Sequence, residues 1–148
     1  LCASGLHSID LSGVRVGPSG ARRLAEAMSS RRCRLLALRL SNAQILDEGV
    51  RHLAAALPRR TACGGFGVAE LDLSWNALTA ASAEALAAAL SAPLGCTVSD
   101  LDLSSNSLRD AGARALAAAL VAQWDRAVPA SKRRSLGEAG GVRADEAD

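Results

Sequence analysis

"LDLSWNALTAASAEALAAAL" (residues 71–90) and "LDLSSNSLRDAGARALAAAL" (residues 101–120) are close to the same twenty residues written twice. Each begins with leucines two apart, a period that puts both on one face of a strand. Each ends with leucines four apart among alanines, Leu86 and Leu90 or Leu116 and Leu120, a period that shares one face of a helix. Two looser copies precede them. The strand-like cores "LHSIDLSG", "LLALRLSN", "VAELDLSW" and "VSDLDLSS" start at Leu6, Leu35, Val68 and Val98. Their central pairs, Ile9 and Leu11, Leu38 and Leu40, Leu71 and Leu73, Leu101 and Leu103, are expected to point inward.

Beyond each pair stands a further apolar anchor: Val16, Ile45, Leu78 or Leu108. A helical stretch follows, with Leu24 and Met28 and then Leu53 and Leu57 in the places of the leucine pairs above. Gly20, Gly49 and Gly112 recur near the helix start, and Ser82 takes that place in the third unit. One unit buries a single side of its strand and helix, so neighbouring units must close the core between them. The chain is therefore predicted to be an α/β solenoid with four short parallel strands on one side and four helices on the other.

Composition is consistent with this and narrows the classes of function. Apolar residues make up 49% of the chain but include only two Trp, one Phe and no Tyr, so the core must be built from Leu, Ala, Val and Ile. No run approaches the eighteen or so uncharged apolar residues of a membrane span, so no membrane insertion is expected. Residues 1–60 carry ten Arg against four acidic residues, whereas residues 61–124 carry two Arg against six. Such polarity suits selective electrostatic contacts. It does not suit a uniformly basic nucleic-acid surface, and the Arg residues lack interleaved aromatics. The chain starts at Leu1, which reads as a piece of a longer protein. Cys33, Cys63 and Cys96 are 30 and 33 residues apart, near the repeat spacing. That places them at successive levels of a stack as free thiols, and a reducing, cytoplasmic setting follows; two disulfides or a zinc site are the alternatives.

The units "VAELDLSWNALTAASAEALAAAL" (68–90) and "VSDLDLSSNSLRDAGARALAAAL" (98–120) resemble the leucine-rich repeat family, in particular its long ribonuclease-inhibitor-like class. The resemblance covers residues 6–120. It implies a curved solenoid, with parallel strands on the concave side and helices on the convex side. It also brings in the functions of relatives: inhibitor proteins, the ligand-sensing repeat domains of nucleotide-binding innate immune receptors, and activators of a small GTPase. The family's Asn is matched by Asn76 and Asn106, whereas Val14 and Ala43 stand in its place in the first two units, so those two turns are expected to be less regular. The strand anchors Leu11, Leu40, Leu73 and Leu103 are 29, 33 and 30 residues apart, and the surplus falls in "RRTACGGFG" (59–67), read as a protruding loop. Residues 1–128 form the repeat domain on this reading, Trp124 covers its last turn, and residues 129–148 form a polar, disordered tail.

No catalytic, cofactor or metal residues emerge. His7 and His52 fall in unrelated registers, and "GGFG" (64–67) lacks the Lys-Ser or Lys-Thr of a phosphate loop. The work this pattern suits is recognition of a protein partner rather than of a small-molecule substrate. Asp10, Arg39, Asp72 and Asp102 are expected in one outward row, with Glu70 and Asp100 beside them. Adjacent Asp72 and Asp102 form a like-charged pair of the kind that can raise one carboxyl's pKa, but a recurrent solvated repeat position is the better account of them. Trp75 takes a place otherwise held by Gly13, Asn42 and Ser105, which marks it as a contact residue, with packing over the turn or the 59–67 loop as the alternative. A second reading makes the stack a scaffold segment, docking through helix residues such as Arg22 and Arg23. GTPase activation is a third, without a complete motif.

Overall fold

The computed structural model describes residues 5–30, 33–57, 67–92 and 96–127. The expected 59–67 loop lies outside these residues apart from Gly67, as do the 129–148 tail, Cys2, Cys63, Arg31, Arg32 and the side chain of Trp124.

Strand and helix alternate four times: β1 Ser8–Asp10, α1 Gly17–Met28, β2 Ala37–Arg39, α2 Leu46–Ala56, β3 Glu70–Asp72, α3 Ala80–Leu90, β4 Asp100–Asp102 and α4 Arg109–Ala127. The strands form one parallel sheet in sequence order. Their register follows the repeat: Ile9 lies opposite Leu38, Leu38 opposite Leu71, and Leu71 opposite Leu101. Helices pack on their sequence neighbours, α1 on α2, α2 on α3 and α3 on α4. This is the expected α/β solenoid.

The core runs between sheet and helices. Leu38, Leu40, Ile45, Leu53, Leu71, Leu73, Leu78 and Leu86 are fully buried, and all belong to the second and third turns. Their counterparts in the outer turns, Ile9, Leu11, Leu101, Leu103 and Leu116, are only partly buried because a neighbour covers one side. One expected core position differs: Leu120 is exposed, and so is Leu6, since each stands at an end of the stack with no adjoining turn among the described residues.

The helices come close because small residues line their contact. A Cβ on Gly49 would stand 2.6 Å from Ile45 Cγ2 and 2.9 Å from Ala21 Cβ, so α1 and α2 meet at their present distance only over glycine. In the third turn the same place holds Ser82, buried, with its hydroxyl donating to the Asp47 carboxylate of α2. Asp47 also accepts from Thr79 N at 2.8 Å and from Thr79 Oγ1 at 2.6 Å, and Thr79 Oγ1 accepts from Ala81 N at the start of α3. One carboxylate thus ties the first turn of α2 to the capped N-terminus of the next helix. Burial pushes the Asp47 carboxyl up, but the hydrogen bonds from Ser82 and Thr79 outweigh it and hold it below its ordinary value.

The expected irregularity of the first two turns is resolved by where the asparagines act. Asn76 is buried, and its Oδ1 accepts from Ala43 N (3.0 Å) and Ile45 N (3.1 Å), which belong to the preceding turn. Its Nδ2 donates to the carbonyls of Leu40, Leu73 and Ser74. Asn106 repeats this one level on, accepting from Asn76 N (2.9 Å) and Leu78 N (3.0 Å). Each amide therefore closes the turn before its own. The second turn needs no amide at Ala43 to be regular. In the first turn, Val16 N and Gly17 N donate instead to the Ala43 carbonyl, both at 3.1 Å.

Candidate functional site

The strand side carries the candidate residues in two rows set by the register. Asp10, Arg39, Asp72 and Asp102 lie side by side, and Glu70 lies beside Asp100. Over β2, β3 and β4 they line an open groove of about 460 Å³, with Leu71 and Leu101 at its floor. Arg39 Nη2 donates to Glu70 Oε2 at 3.2 Å. Four carboxylates, from Glu70, Asp72, Asp100 and Asp102, therefore share the groove with one guanidinium, and the groove is acidic.

Three of the row's aspartates also shape the backbone. Asp10 Oδ1 accepts from Ser12 N at 2.9 Å, Asp72 Oδ1 from Ser74 N at 2.9 Å and Asp102 Oδ1 from Ser104 N at 2.8 Å. A carboxylate bonded to the amide two residues on mimics a turn and steers the chain out of the strand. Ser74 Oγ is shared between Asp72 Oδ1 and Ser41 Oγ, which links the third turn to the second. The Ser104 hydrogen bonds hold the Asp102 carboxyl below its ordinary value. Ser12 and, less, the nearby Arg39 charge do the same for Asp10.

Trp75 sits on the turn leaving β3, three residues beyond Asp72 of the groove, with 65% of its surface exposed. Its N–H donates to Ser104 O, as Gly13 N donates to Ser41 O and Asn42 N to Ser74 O, so the four compared positions form one structural column. Every member has positive φ: 74° at Gly13, 51° at Asn42, 57° at Trp75 and 55° at Ser105. That region suits Gly and Asn and costs a bulky residue roughly 1 kcal/mol. Trp75 is thus neither required by the core nor favoured by the backbone.

Two further exposed apolar residues lie between strand and helix, Val14 in the turn leaving β1 and Leu46 at the first position of α2. Leu46 also has positive φ, 57°, matching Gly17 at 67° and Arg109 at 54°. The sequence hides Leu46 because it follows the buried anchor Ile45, and the two read alike as apolar. Arg22 and Arg23 lie on α1, away from the strand face, and both engage Glu26, at 3.5 and 3.3 Å. His7 is exposed ahead of β1, and His52 is half-buried in α2. Among the described residues no group of three His, Cys, Asp or Glu side chains could hold a metal. No described helix is long and apolar enough to cross a membrane.

Stacked strand–helix turns with an open strand face define a repeat solenoid. Residues 69–87 and 96–117 match the model of the Leucine Rich repeat family, which supports a leucine-rich repeat family for the chain. Both matches fall on the third and fourth turns, where the amide-bearing asparagines lie. No curated protein matches the sequence. Leucine-rich repeats are generally protein-interaction modules and are typically non-catalytic.

Proposed function

We propose that the chain is a non-catalytic recognition module that binds a protein partner across its strand side, with Trp75 as the anchor. One observation carries this reading: a tryptophan held exposed at positive φ, in a column otherwise occupied by Gly, Asn and Ser. Large aromatics on rigid supports are the residues that dominate protein interfaces. Asp10, Arg39, Glu70, Asp72, Asp100 and Asp102 flank the anchor and select the partner by charge. The repeat, a strand with a full helix in about thirty residues, supports the ribonuclease-inhibitor-like class seen in innate immune receptors. Free thiols at Cys33 and Cys96 support a reducing, cytoplasmic setting. Residues 1–128 form the repeat domain and 129–148 its tail.

Crosslinking the full-length protein in native extract, followed by binding of the captured partner to wild type and Trp75→Ala, tests this. The variant is expected to stay folded and to lose most of its affinity. Unchanged binding removes Trp75 as an anchor. The apolar ends of the stack, with Leu6, Leu120 and Val121 exposed, favour a second reading as a scaffold segment between other domains. Crosslinks confined to those ends, Arg22 and Arg23 would establish it.

A further inference from the structure

The strand-exit edge and the groove beside it make demands on one partner segment. Leu46 and Trp75 are exposed on this edge, and their counterparts in other turns show that these places do not require an apolar residue. Gly17, Thr79 and Arg109 correspond to Leu46, and Gly13, Asn42 and Ser105 correspond to Trp75. A large aromatic held in water on a rigid turn is the kind of residue that anchors an interface. The adjoining groove says what charge the partner carries. Of its five charged side chains four are carboxylates, and the lone guanidinium of Arg39 is already bonded to Glu70.

Resting on the strand-side reading above, we propose that the partner presents a short segment with an apolar side chain for the Trp75 edge and two or more Lys or Arg side chains for the groove. Neighbouring strands stand about 4.8 Å apart, so β2 to β4 spans roughly 10 Å, the reach of about three extended residues. The apolar and basic residues can therefore lie within one peptide. A segment rich in Asp or Glu is repelled, and so is a nucleic-acid backbone, because each meets the net charge of the groove with the same sign.

Random dodecapeptides displayed on phage, selected on the immobilised folded chain, test the idea without a known partner. Enriched peptides are expected to combine an apolar residue with at least two Lys or Arg. Synthetic copies should bind about tenfold more weakly to Trp75→Ser and to the Asp72→Asn/Asp102→Asn pair, a change the size of one interface anchor. Asn keeps an acceptor oxygen for Ser74 N and Ser104 N, so this pair removes charge and retains the turns. Urea unfolding of each variant confirms that it is folded. Enrichment of acidic or uncharged peptides, indifference to the Asp pair, or no enrichment at all overturns the basic-segment proposal. If uncharged peptides still lose affinity on Trp75→Ser, the strand-side reading survives that failure. Basic peptides that weaken on the Asp pair but ignore Trp75→Ser remove Trp75 as the anchor and overturn the apolar half of the proposal.

Discussion

The third and fourth turns differ little in sequence and greatly in surroundings. Leu90 and Leu120 close the same "ALAAAL" phrase, yet Leu90 is 6% exposed and Leu120 is 59% exposed. The third turn is covered on both sides; the fourth has α3 on one side and no further described turn on the other. In a stacked fold, burial belongs to the place in the stack rather than to the phrase.

The largest test of this comparison is the leucine pair. Leu90→Ala is expected to lower stability by about 2–4 kcal/mol, through lost transfer energy and the cavity left behind. Leu120→Ala should cost under about 0.5 kcal/mol, as for an ordinary surface change. Urea unfolding of the two variants measures both, and equal losses would break the distinction between covered and uncovered turns. Asparagine sharpens it. Asn76→Ala strands buried Ala43 and Ile45 amides together with the Leu40 carbonyl, and should cost about 3 kcal/mol. Asn106→Ala, half-buried, lets water reach the freed groups and should cost about half as much.

Asp47→Asn tests the tie between the second and third turns. Its expected cost near neutral pH is about 1 kcal/mol, the size of a lost cap. The folded-state carboxyl is held below its ordinary value, so its contribution is fully present above the unfolded value of about 3.9. That contribution disappears as pH falls through the lower folded value. The stability gap between wild type and Asp47→Asn should hold constant above about pH 5 and narrow below about pH 4; a gap that widens on acidification refutes the assignment. The smallest effect, and one of opposite sign, is expected at Trp75→Asn. Relief of positive φ should raise stability by about 0.5 kcal/mol, visible as a higher urea midpoint with unchanged slope.

Much of the fold was legible because the repeat encodes it locally. The period-two pairs set the strand face, and all four inward pairs came into one register. Burial at the ends was not legible, since Leu116 and Leu120 read like Leu86 and Leu90 until neighbours are counted. The asparagines were found by spacing, but their service to the previous turn depends on contacts 28 to 36 residues away. The candidate rows were readable from strand parity. The turn-forming bonds of Asp10, Asp72 and Asp102 were missed, because an exposed Asp looks the same whether or not its carboxylate holds the amide two residues on. Leu46 stayed hidden for a different reason: positive φ turns it outward, and backbone conformation leaves no mark on an Ile-Leu pair.

The asparagine amides also set an order in time. Ala43 and Ile45 emerge from the ribosome 33 and 31 residues before Asn76, the group that will accept their N–H bonds. At about 5–20 residues per second this is a wait of roughly 2–7 s. Through that interval the second turn must leave those amides to water, however complete its own strand and helix. The third turn then waits on Asn106 in the same way. During synthesis the newest turn is always the provisional one, and its closure arrives with its successor.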